Sequence, residues 1–132
     1  MTVEKNYEGR GNAMVIDITG HAALAVGGVA NPEGVELCIT KATLQVITPS
    51  TGAANINIGV GATIATDAND IIAALAMGGA ITGKWYNGHA RINAAKTEIT
   101  APLWGATQYV TFTGSATTAG LVARLYLEYI RL

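Results

Sequence analysis

The stretch Gly120-Leu-Val-Ala-Arg-Leu-Tyr-Leu-Glu-Tyr-Ile-Arg131 decides the fold. Leu121, Ala123, Leu125, Leu127 and Tyr129 fall on one side of an extended chain, and Arg124, Tyr126 and Glu128 fall on the other. A period of two marks a β-strand with one buried and one wetter face. Chain ends fray unless a sheet holds them, so this segment is expected to be a strand embedded in the core of a sandwich.

Working back from it, the rest of the chain reads as short strands separated by turn residues. Ala13 to Thr19 sets Met14, Ile16 and Ile18 against Val15 and Asp17. Val26-Gly-Gly-Val-Ala-Asn-Pro-Glu-Gly34 is expected to form loops, because its Gly, Asn and Pro are turn formers. Val35 to Thr48 is the longest strand candidate, and its apolar phase slips near Thr40 and Lys41, as a bulge or a bend between sheets would make it do. Pro49-Ser-Thr-Gly52 is a turn, after which Ala54, Ile56, Ile58 and Val60 alternate with polar residues; together the two segments predict a hairpin. One short helix is predicted over residues 69–77, capped by Asp67 or Asn69, carried by Ile71, Ile72, Leu75 and Ala76, and stopped by Gly78-Gly79. Strand-like segments follow at Ala80 to Tyr86, Ala90 to Ile92, Glu98 to Thr100 and Gln108 to Thr113. The inventory is all-β: an antiparallel, jelly-roll-like sandwich of about eight strands with one short helix. Residues 1–12 are polar and suit an extended or flexible arm, and residues 13–132 form a single domain.

Composition narrows the function. Half of the residues are apolar and only 13% are charged, about half the share usual in a globular protein. Too few charges remain to cover the exterior, so part of it is expected to lie against another copy or another protein. A formal net charge of -1, with basic residues scattered singly, disfavours nucleic acid and acidic membranes as partners. No apolar stretch is long enough to span a bilayer, and the first twelve residues lack the apolar core of a secretion signal. Synthesis in a cytoplasm is therefore expected. The single cysteine, Cys38, has no partner in the chain for a disulfide and reads as a core thiol.

The order of several segments resembles a group of small structural proteins from tailed bacteriophages, of the virion or capsid-decoration type. The residues that carry it are Val29-Ala-Asn-Pro-Glu-Gly-Val35, the strand Leu37 to Ile47, Thr51-Gly-Ala-Ala54, Ile58-Gly-Val-Gly-Ala-Thr63 and Asp70-Ile-Ile-Ala-Ala-Leu75. Gly105-Ala-Thr-Gln-Tyr-Val-Thr111, Ala119-Gly-Leu-Val-Ala-Arg124 and Tyr126-Leu-Glu-Tyr-Ile130 complete the series. The resemblance implies a jelly-roll-like sandwich displayed on the capsid surface of a virion, often as a homotrimer, with the major capsid protein as its partner. It implies no catalytic residues and no cofactor. Gly83-Lys-Trp-Tyr-Asn-Gly88 departs from the pattern in its large aromatics.

Site chemistry is sparse. His21 and His89 each sit beside a glycine, without a Cys or carboxylate at ligand spacing, and read as surface or interface histidines that a symmetry axis could gather. Asp67-Ala-Asn-Asp70 superficially suits calcium but lacks the Gly and Glu of a calcium loop, and a helix cap accounts for the same residues. Neither Ser50 nor Ser115 lies in a nucleophile elbow, and Gly59-Val-Gly61 lacks the following Lys-Ser/Thr of a phosphate loop. No enzyme is expected. Trp104, after Pro102, is expected to plug one end of the sandwich. Lys84, Trp85, Tyr86 and Asn87 are the candidate partner contact, read as a loop whose aromatics could stack on a sugar or enter a partner. Tyr7 and Arg10 are the candidate contacts of the N-terminal arm. The alternatives are a jelly-roll binding module of a tail or fibre contacting host glycan and, more remotely, a small sandwich-fold hydrolase.

Overall fold

The computed structural model describes residues 11–78, 85–89, 91–92, 99–100 and 102–132. Its strands are β1 (Gly11–Thr19), β2 (Ala25–Ala30), β3 (Leu37–Thr48), β4 (Asn55–Gly61), β5 (Ile72–Ala76), β6 (Trp85–His89), β7 (Arg91–Ile92), β8 (Ile99–Thr100), β9 (Leu103–Trp104), β10 (Tyr109–Gly114) and β11 (Val122–Arg131). One sheet runs β1-β11-β3-β6, with β9 also paired to β3, and the second runs β2-β10-β4-β5; β7 and β8 pair with each other. Every strand pair is antiparallel.

Set aside the two-residue strands β7, β8 and β9. The remaining eight then pair first with last, second with seventh, third with sixth and fourth with fifth, alternately in the two sheets. That is a long antiparallel hairpin rolled into a sandwich, the jelly roll. β11 lies inside the first sheet, between β1 and β3, as its alternation predicts. Leu121, Ala123, Leu125, Leu127 and Tyr129 are buried, facing Ile16 and Ile18 of β1, Leu37, Ile39, Ala42, Leu44 and Val46 of β3, and Ile56, Ile58, Val110 and Phe112 of the second sheet.

The phase slip in β3 is a bulge. Register with β11 shifts between Glu128 and Tyr129, so that Lys41 pairs with Glu128 and Ile39 with Tyr129, leaving Thr40 extra. Strict alternation would have turned Leu44 and Val46 away from Leu37 and Ile39. The extra residue returns all four to the core.

Other expectations need correction. Residues 25–30 are strand β2, although Gly27-Gly28 argued for a loop; only Asn31-Pro-Glu-Gly34 turns. β3 and β4 belong to different sheets, so Pro49-Ser-Thr-Gly52 is a crossover and not a hairpin turn. No helix occurs among the described residues, and 72–76 form β5 against β4. The helical spacing has a physical origin there. Ile72 pairs with Ile58 and Leu75 with Ile56 across an irregular register, with Ala74 between them at φ 50°. A strand bent out at Ala73-Ala74 returns its apolar residues at intervals that imitate a helix. Asn57 Oδ1 accepts from the Ala74 backbone N–H at 2.7 Å and holds that bend. Cys38 is half-buried and not in the core, because Leu37 and Ile39 on either side point inward.

Trp104 closes one end of the sandwich as expected, with no exposed surface. Its indole donates to the Gln108 carbonyl at 3.0 Å and its ring meets Tyr129 edge-on, with centroids 6.5 Å apart. Burying an indole satisfies its single donor only if such a partner is built in.

Candidate functional site

The two outer faces of the sandwich differ, and that difference locates the candidate surface. On the second sheet the outer face of β4 carries Asn57, Gly59 and Gly61, next to Thr111 and Thr113 of β10, with Gly28 of β2 beyond Thr111. The β4–β5 connection, residues 62–71, folds back onto this face. A Cβ on Gly59 would land on Asp70 Oδ1 and lie 2.6 Å from the Ala68 carbonyl carbon; one on Gly61 would strike Thr66, and one on Gly28 would come 3.2 Å from the Ile64 backbone. Glycine in these strands therefore permits close approach of a covering loop. Thr111, on an outer face, is fully buried as a result.

Two carboxylates fasten the cover. Asp67 Oδ1 accepts from Thr113 Oγ1 at 2.6 Å and from Asn57 Nδ2 at 2.9 Å. Asp70 Oδ1 accepts from the Val60 backbone N–H at 2.8 Å. The hydroxyl of Thr113, and then the amide of Asn57, hold the Asp67 carboxyl below the usual carboxylate range. Asp67 and Asp70 thus tie a loop to strands instead of capping a helix.

The first sheet has no such cover among the described residues. Its outer face presents rows of registered residues: Asp17, Arg124 and Gln45; Val15, Tyr126 and Thr43; Ala13, Glu128 and Lys41. Arg124 Nε donates to Asp17 Oδ1 at 2.8 Å, and Tyr126 donates to Gln45 Oε1 at 3.1 Å. That hydrogen bond from Arg124 to Asp17 raises the guanidinium pKa. Val15, in the middle of β1, is 56% exposed.

The predicted contact residues fall on this sheet's free edge. Trp85, Tyr86 and Asn87 lie in strand β6 and not in a loop, in register with Gln45, Leu44 and Thr43 of β3. Among the described residues β6 has β3 on one side and no further strand on the other. A free edge is a row of backbone donors and acceptors open to another chain. Lys84, Tyr7 and Arg10 lie outside the described residues.

The histidines do not share a site within one chain. His21 follows β1 at one edge of the sheet, and His89 ends β6 at the other. His21 Nδ1 accepts from the Ala23 N–H at 3.1 Å, a local turn contact. Among the described residues no three His, Cys, Asp or Glu side chains are grouped closely enough to hold a metal ion. A cleft of about 210 Å³ opens between β1 and β2, lined by Ile16, Ile18, Val26, Val29 and Phe112 among others. It is smaller than the ~300–1,000 Å³ typical of ligand pockets.

Sequence reasoning missed the covering loop altogether. Its signal was the coincidence of glycines at alternate positions of β4 with a loop containing two aspartates.

No protein-family model matches the chain, and no curated protein sequence matches it. A solved structure does: the capsid of Ralstonia phage GP4 is similar to it with a TM-score of 0.54 at 19% sequence identity, over 100% of this chain and 91% of that chain. At that identity the likeness establishes the fold: this jelly roll, from end to end, is one also found in a phage capsid.

Proposed function

We propose that the chain is a bacteriophage virion structural protein, of the capsid decoration or cement type, bound to the outer surface of the head. The observation that carries this reading is the likeness to the capsid of Ralstonia phage GP4, which takes in the whole of this chain. The low charge content supports it, as does an outer sheet face that carries no covering loop among the described residues.

In this reading the protein works by surface burial and avidity. Copies joined as a homo-oligomer, with three the favoured number, present identical patches to neighbouring subunits of the major capsid protein. Weak contacts then add through effective concentration. Separating those subunits under internal DNA pressure would mean breaking the contacts together. Trp85, Tyr86 and Asn87 on the edge strand β6, together with Lys84 before them in the sequence, are assigned to partner contact. The polar N-terminal arm with Tyr7 and Arg10 is assigned the role of a clamp on the partner.

Immunogold labelling of intact particles tests the reading. Gold spread regularly over the head is the expected result. Gold confined to the tail would favour a receptor-binding module, which a glycan array would then examine. Unlabelled particles with a demonstrably accessible epitope would remove the virion-surface reading.

A further inference from the structure

One group of exposed apolar side chains plays no part in the fold. Ile130 of β11 is in register with Cys38 of β3, and Cys38 with Leu103 of β9, so the three lie side by side on the outer face of the first sheet. Directly opposed residues on neighbouring strands have Cβ atoms roughly 5 Å apart, close enough for a continuous surface. Ile130 is 40% exposed and Leu103 51%. Leu132, 60% exposed, adjoins the row, since its N–H donates to the Glu36 carbonyl at 3.1 Å beside Val35, itself 42% exposed. Single exposed apolar residues are ordinary, but a contiguous group at one end of a sheet marks an interaction site.

We infer that this Ile130–Cys38–Leu103 end of the first sheet is where a second copy of the chain docks. The charges argue for a copy over a different partner. The row is bordered by Lys41 and Glu128, opposite signs in facing register. A second copy therefore offers a carboxylate where the first offers an ammonium. A net charge of -1 supplies no field to draw a strongly charged partner and little repulsion between like chains. The inference rests on the self-association in the reading above and names its surface. It is read in solution without capsids, so its failure and the failure of head labelling are separate results.

The test is sedimentation velocity on the purified full chain, up to roughly 100 μM, a range that detects micromolar association. The wild-type chain is expected to sediment as a dimer or trimer. Leu103→Asp and Ile130→Asp are each expected to weaken association at least ~10-fold with little change in melting temperature. Leu24→Asp, at an exposed site outside the row, should leave it intact. Should an aspartate variant fail to fold, the charge exchange remains: Lys41→Glu should weaken association and Lys41→Glu/Glu128→Lys should restore it. Cys38, the only thiol in the chain, reports on the surface directly. Its reaction with a maleimide should slow as protein concentration rises. A wild-type monomer throughout the range would overturn the inference, as would association untouched by Leu103→Asp, Ile130→Asp and the charge exchange. A monomer whose Cys38 is nevertheless unreactive would show the patch covered from within its own chain, and also overturns it.

Discussion

The outer faces of the two sheets solve one problem in opposite ways. On the second sheet, glycines at positions 28, 59 and 61 remove side chains so that residues 62–71 can lie flat, and Asp67 and Asp70 hold them there. On the first sheet Val15, Arg124, Tyr126 and Lys41 stand out from the strands, with Arg124 paired to Asp17 and Tyr126 bonded to Gln45. The contrast teaches that exposure on the first sheet is not forced by the jelly roll, since the same fold closes its other face with ten residues of its own loop. Nothing among the described residues covers the first sheet's outer face, and it is there that the proposed partner contacts would fall.

Substitutions can break the comparison, and the largest effect belongs to Gly59→Ala. Its new Cβ would overlap Asp70 and Ala68, so the cover must lift or the strand must shift. Overpacking of this kind costs about 1–3 kcal/mol. Chemical denaturation should show that loss, whereas Gly52→Ala, with nothing within 4 Å of the added carbon, should stay within about 0.5 kcal/mol of wild type. Equal effects at the two positions would mean that the loop does not rest on Gly59.

Asn57→Ala comes next. It removes both the acceptor for the Ala74 N–H and a donor to Asp67. A loss of about 1–2 kcal/mol is expected from the unmade hydrogen bonds. Proteolysis should also cut within 62–76 sooner than elsewhere.

Acid sharpens the comparison further. Asp67 is held below the ordinary value of 3.8 in the folded chain, first by Thr113 and then by Asn57. A folded pKa below the unfolded one gives stability that is present above the unfolded pKa and is lost as pH falls through the folded one. Stability should therefore drop below about pH 4, and Asp67→Asn should flatten that part of the curve. An unchanged acid limb in the variant would assign the loss to other carboxylates.

The smallest effect is expected on the open face. Asp17→Asn and Val15→Thr should leave thermal melting nearly unchanged, because exposed ion pairs and exposed apolar atoms add little to folding. A large destabilisation at either position would mean that the open face is structural after all.

How much of this the chain discloses in advance depends on whether a feature is local. β11 is legible because all its neighbours demand the same thing of it: one face toward the core along its whole length, so the period of two is uninterrupted. The bulge at Thr40 is legible for the same reason, as a visible break in that period. The capping of the sandwich by Trp104 follows from a large apolar ring beside Pro102. β2 is hidden because Gly28 serves a loop more than thirty residues away in sequence, and glycine within a segment otherwise signals a turn. β5 is hidden because its bend at Ala74 reproduces helical spacing, and because Asp67 and Asp70, good caps for a helix, are taken by β4 and β10. Of the candidate contacts, the aromatics Trp85 and Tyr86 could be picked out by composition, but only pairing with β3 places them on an edge strand.

By itself, then, the sequence determines the alternation of buried and exposed residues along strands such as β4 and β11, and with it an all-β sandwich short of surface charge. Those are properties of side chains and their immediate neighbours, set by transfer of apolar groups from water. Only the tertiary structure decides which strands share a sheet, which outer face is covered, and that Ile130, Cys38 and Leu103 meet in one row. Such choices depend on contacts between residues far apart in the chain, where glycine is read correctly only when the loop that lies on it is in place.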